Sequence, residues 1–114
     1  SAVVGVFEEL QTAPGQVIPI GKLEDVNRKE VSIEGQVEVL WDADSPAIAQ
    51  VGLIADDSGK TKVTILEKSD APWIEEGEQV RIHKVARNWY EGRVSLAVTG
   101  WSTLHFPERG QWWE

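Results

Sequence analysis

From Val31 to Trp41 the sequence VSIEGQVEVLW places Val31, Ile33, Gly35, Val37, Val39 and Trp41 on one parity, with Ser32, Glu34, Gln36 and Glu38 on the other. A repeat of two over so long a run is the spacing of a strand with one buried and one wet face. Gly35 at its centre permits the bend that a barrel wall requires. DADSPA breaks this strand, Ile48–Ala55 reads as a second, and DDSG at Asp56–Gly59 has the composition of a hairpin turn. KTKVTILEK follows as a third strand, with Val63 and Ile65 inward and Lys62 and Thr64 outward. SDAPWIEEGE opens on a capping serine, carries Pro72 in its first turn and ends at Gly77, which predicts a very short helix, with Trp73 plugging the barrel end. QVRIHKVARNW and RVSLAVTGW are strands four and five around the turn YEG.

Five short strands between Val31 and Trp101, with a helical interruption after the third, predict an all-β fold: a five-stranded Greek-key OB-fold barrel. An SH3-like barrel competes but would not need a helix between strands three and four. Upstream, Ile20, Leu23 and Val26 are spaced for a helical turn or two leading into the core. The expected organisation is an N-terminal tail or linker over 1–17, the barrel over 18–104 and a C-terminal tail over 105–114.

A chain of 114 residues has the length of one domain, and its formal charge of −8 disfavours general attraction to nucleic acid or anionic membrane, so any such binding has to be local. The absence of cysteine removes disulfide frameworks, thiolate metal sites and cysteine nucleophiles, and His83 and His105 are the only histidines. There is no run of about 20 apolar residues and no basic, apolar leader pattern. The expectation is therefore a soluble intracellular domain without membrane partners, and Ser1 in place of Met reads as a segment of something longer. Asp56 and Asp57 with Asp42 and Asp44 are a weak metal candidate, since the DDSG run is explained as a turn. No phosphate loop or nucleophile elbow occurs, so no catalytic residue, metal or cofactor is expected.

In order, VSIEGQVEVLW, QVGLIADDSGKTKVTIL, EEGEQVRIHKV and YEGRVSLAVTGW resemble the OB-fold domains of archaeal and eukaryotic replication protein A, over about Ile18 to Leu104. The resemblance implies a single-stranded DNA-binding module with little sequence preference, acting in replication, repair or recombination. It also implies further subunits or OB domains as partners, and a cytoplasmic, nucleoid-associated place in an archaeon or a nuclear one in a eukaryote. The acidic composition resembles that of proteins from salt-loving archaea. Strand three of that family often ends on a base-stacking aromatic, and here Leu66 stands in that place. The family's cysteine-rich zinc module has no counterpart in this chain.

Single-strand binders of this fold hold nucleic acid across strands two and three, between the loops joining strands one to two and four to five. Trp41 borders the first loop, and Trp89 and Tyr90 form the second. Positive charge gathers nearby: residues 79–93 carry +3 and residues 60–68 carry +2, leaving the rest at −13. The candidate nucleic-acid-binding residues are therefore Trp41, Lys62, Thr64, Arg81, Arg87, Trp89, Tyr90, Arg93 and Trp101. Each ring has a competing use. Trp41 continues the inward face of its strand, Trp89 and Tyr90 can cap the barrel, and Trp101 points outward unless a bulge at Gly100 resets it. Trp112 and Trp113 are expected to anchor the tail on the domain or on a neighbour. The competing function is a protein-interaction OB-fold serving assembly of a replication or telomere-type complex, which the acidic surface and surplus tryptophans also suit.

Overall fold

The computed structural model describes residues 16–108. Six strands are present: β1 (Glu30–Trp41), β2 (Ile48–Asp56), β3 (Gly59–Leu66), β4 (Gln79–Tyr90), β5 (Arg93–Val98) and β6 (Thr103–His105). Their lateral order is β1-β2-β3-β5-β4-β6, and an additional β1–β4 pairing closes the first five into a barrel. All pairings between these strands are antiparallel except β3 with β5.

β1 serves two neighbours in succession. Glu30–Gln36 pairs with β4 and Gln36–Trp41 with β2, so the strand has to cross from one wall to the next. Gly35 lies at the crossing: a Cβ there would sit 2.5 Å from the Ala55 carbonyl oxygen, so only glycine lets the two backbones approach. Two register shifts curve the strand further, one between Val31 and Ile33 and one between Val37 and Val39. The second ends the alternation read from the sequence. Val31, Ile33 and Val37 are buried, but beyond the shift Leu40 packs against the core and Trp41 turns outward. β4 bends in the same way at Lys84, whose φ of 56° lies in the left-handed region.

The inward residues of the five walls form one core with Ile33, Ile54, Val63, Val80, Ile82, Val85, Leu96 and Val98 at its centre. One end is closed by the 3-10 segment Ile20–Asp25, where the helical spacing was expected, which buries Ile20 and Leu23. It is fastened by the β2–β3 turn: the Ile20 amide donates to an Asp56 carboxylate oxygen at 2.9 Å and the Gly21 amide to the Ser58 hydroxyl at 2.8 Å. The other Asp56 oxygen accepts from the Ser58 and Gly59 amides. Burial alone would raise the Asp56 pKa, but these donors outweigh it and hold the carboxyl below its ordinary 3.8.

The other end departs from expectation. The connector holds a single 3-10 turn at Glu67–Ser69 rather than a helix over Ser69–Gly77, and the plug is Ile74 rather than Trp73, which is 64% exposed. Gln50 is the reason. Its buried carboxamide donates to the Ile74 carbonyl at 2.8 Å and accepts from the Ile74 amide at 2.9 Å, replacing the partners that a strand or helix would give that backbone. β6, which the sequence reading did not contain, pairs with Arg81–His83 of β4 and takes in His105. No helix among the described residues is long and apolar enough to cross a membrane.

Candidate nucleic-acid interface

The outer surface of β2, β3 and β5 carries a groove. On β3 the outward residues are Lys60, Lys62 and Thr64; across from them stand Ala55, Leu53 and Val51 on β2, and Ser95 and Ala97 on β5. Val51 and Leu53 are half-buried and give the groove an apolar floor. Its two sections, about 830 and 390 Å³, share Lys62.

A ring stands at either end. Trp41 pairs with Val51 at the β1–β2 loop and is 47% exposed. Tyr90 closes β4 opposite Arg93 and is 55% exposed. The Lys62 ammonium lies 4.4 Å from the centre of the Tyr90 ring, a cation–π contact that orients the ring while leaving it over half accessible. The turn between β4 and β5 has two residues, Glu91 and Gly92, with φ of 52° and 79°. That is the type I′ pattern, whose twist matches the flanking strands and so fixes Tyr90 relative to Arg93.

Charge along the groove is uneven. Lys60, Lys62 and Arg93 line it, while Glu24 and Glu91 flank one section and Asp42 and Asp44 the other. Lys60 is further drawn to Glu38 at 3.8 Å, an exposed pair of little strength. The section beside Tyr90 thus holds Lys60, Lys62 and Arg93 with Glu24 and Glu91, and the section beside Trp41 holds Lys62 with Asp42 and Asp44.

Of the nine residues singled out from the sequence, Trp41, Lys62, Thr64, Tyr90 and Arg93 come together here. Arg81 does not. It faces outward on the β1–β4 wall, where its Nε donates to Glu34 at 2.7 Å, beside His105 of β6. That hydrogen bond lowers the Glu34 pKa from its ordinary 4.5, with Gln79 adding to it against partial desolvation. Arg87 and Trp89 face a separate cleft on the far side of the β4–β5 hairpin, because neighbouring strand residues point to opposite faces. Trp101 lies in the turn after β5, 78% exposed and outside both depressions. Trp112 and Trp113 fall outside the described residues.

The sequence reading missed three kinds of contributor. Val51 and Leu53 were hidden in QVGLIA, where both parities are apolar and no outward face can be told. Glu24 borders the groove although it is remote in sequence from the strands that form it. Arg28 and Lys29 precede β1, and only the pairing of Glu30 with Ala86 brings them beside Arg87.

Solved structures of the same architecture are found. An OB domain from Methanosarcina mazei superposes with a TM-score of 0.67 at 26% identity, covering 75% of this chain and 80% of that one. An OB domain from Thermoplasma acidophilum gives 0.66 at 18% identity, covering 82% and 89%. The chain is an OB-fold domain. The HINa domain of Ifi202, solved in complex with 20-bp dsDNA, shares this OB fold with a TM-score of 0.64 at 16% identity, covering 78% of this chain and 45% of that one. No protein-family model matches the sequence, and no curated protein matches it.

Proposed function

We propose that this OB-fold domain binds single-stranded DNA with little sequence preference, as a module of a replication protein A-like protein acting in replication, repair or recombination. The observation that carries the reading is the pair of exposed rings, Trp41 and Tyr90, at the two ends of one groove with Lys62 and Thr64 between them. Bases stack on flat side chains whatever their identity, and Lys62 and Arg93 are placed to meet the phosphates between them. The OB domain of Ifi202 solved with dsDNA supports nucleic acid as the ligand class. Within the groove the four carboxylates outnumber the three cations, so stacking outweighs counterion release in this section, and few phosphates contribute to the salt dependence.

Trp41 makes the test direct. Oligo-dT is expected to quench intrinsic Trp fluorescence, and Tyr90→Ala or Trp41→Ala to weaken binding by about 1–3 kcal/mol each without loss of the folded barrel. Absence of quenching at low salt, or full affinity in both variants, would contradict the reading. Trp73 and Trp101, both exposed away from the groove, favour the protein-interaction alternative as a second use of the domain. Failure of every oligonucleotide to bind would leave that use standing alone.

A further inference from the structure

We infer that the cleft behind the β4–β5 hairpin is a second contact site for the phosphodiester backbone of the same nucleic acid, so that a long strand passes round the hairpin from Tyr90 to Trp89. This rests on the nucleic-acid reading above and extends it to a surface outside the groove. The cleft, about 940 Å³, is lined by Arg28, Lys29, Lys84 and Arg87 against Glu30 as the one carboxylate among its described lining residues. In a chain of formal charge −8 that is a local excess of three positive charges. None of the four cations is in an ion pair among the described residues, whereas Arg81 and Lys60 both are.

The cleft is also built rather than incidental. The Arg87 amide donates to the Lys29 carbonyl at 2.7 Å and its Nε to the Arg28 carbonyl at 2.8 Å, which ties the two basic segments together through backbone acceptors. Those bonds use one guanidinium hydrogen and leave four for a ligand. The Lys84 carbonyl is held by the Ser102 hydroxyl at 2.8 Å, fixing the bulge from which Lys84 projects. Trp89, 58% exposed, adds a stacking surface beside the cations. Since Trp89 and Tyr90 are consecutive, the cleft and the groove meet across a single strand end. An acidic peptide would use the charges but has no need of that ring or of that continuity.

The experiment compares oligo-dT at the short and long ends of the roughly 4–16 nucleotides that one OB fold occupies. Arg28→Ala/Lys29→Ala removes two cations whose backbone carbonyls, not side chains, hold Arg87, so the fold is retained and a thermal melt verifies it. The double variant is expected to bind the short oligonucleotide as the unchanged domain does. For the long one its log–log salt slope should fall by about 0.7 per phosphate lost. Between 50 and 200 mM salt the unchanged domain then loses about sevenfold more affinity than the variant. An unchanged slope for the long oligonucleotide overturns the cleft while leaving the groove intact. If instead Tyr90→Ala and Trp41→Ala are silent and only the cleft variant weakens binding, the groove reading fails and with it the path round the hairpin, the cleft being then the primary contact. Binding of neither length by the unchanged domain overturns both.

Discussion

Gln50 does for the barrel end what a strand partner does elsewhere. It sits 4% exposed and satisfies both backbone groups of Ile74, so the apolar plug is positioned by a polar side chain. Gln50→Ala strands a buried donor and a buried acceptor at a cost of about 1–3 kcal/mol each. A loss of about 2–6 kcal/mol in urea unfolding is the expected outcome, and a loss below half a kcal/mol would show that the clamp carries no weight. Glu91 is the converse case, a residue tolerated where another would be better. Its left-handed φ suits Asn or Gly, so Glu91→Asn should raise stability by up to about 1 kcal/mol, read from the same unfolding curves. It also removes a carboxylate beside the groove, so affinity for oligo-dT should rise with it.

Among the elements, the β2–β3 turn has a pH signature. The folded Asp56 carboxyl lies below its ordinary value, so the unfolded chain takes up the proton first as pH falls. The stability from its donors, the Ile20, Ser58 and Gly59 amides and the Ser58 hydroxyl, is fully present above the unfolded pKa and drains away as pH drops through the folded one. Unfolding midpoints measured between about pH 5 and pH 3 should therefore decline, and less steeply in Asp56→Asn. Equal slopes would remove the turn from the acid response. The walls also separate the basic residues by role. Arg93→Ala, on the groove, should lower the salt slope of DNA binding by about 0.7, while Arg81→Ala, engaged with Glu34 on another wall, should leave it unchanged. The outward positions of Lys62 and Thr64 were legible in the sequence because period-two alternation survives along β3, whereas Trp89 and Tyr90, read as forming the loop, lie on β4, because the turn is only Glu91 and Gly92. Trp41 and Arg81 were harder to place. A bulge in β1 reverses parity before Trp41, and no local pattern tells which barrel wall an outward arginine belongs to.

At the scale of the whole molecule, strand order was readable from turn composition and apolar spacing, since each signal is local. What local patterns could not carry was long-range pairing: β6 against β4, Gln50 against Ile74, and Arg28 and Lys29 beside Arg87. The resulting distribution of charge is the main functional consequence. Carboxylates dominate the chain, yet one cleft gathers four cations that form no ion pair among the described residues, and one groove has rings at both ends. Backbone amide shifts of the 15N-labelled domain titrated with oligo-dT at low salt test this arrangement most directly. The largest changes are expected at Leu53, Lys62, Thr64 and Tyr90, along the groove between the two rings. Changes confined to other walls of the barrel, or none at all, would contradict it.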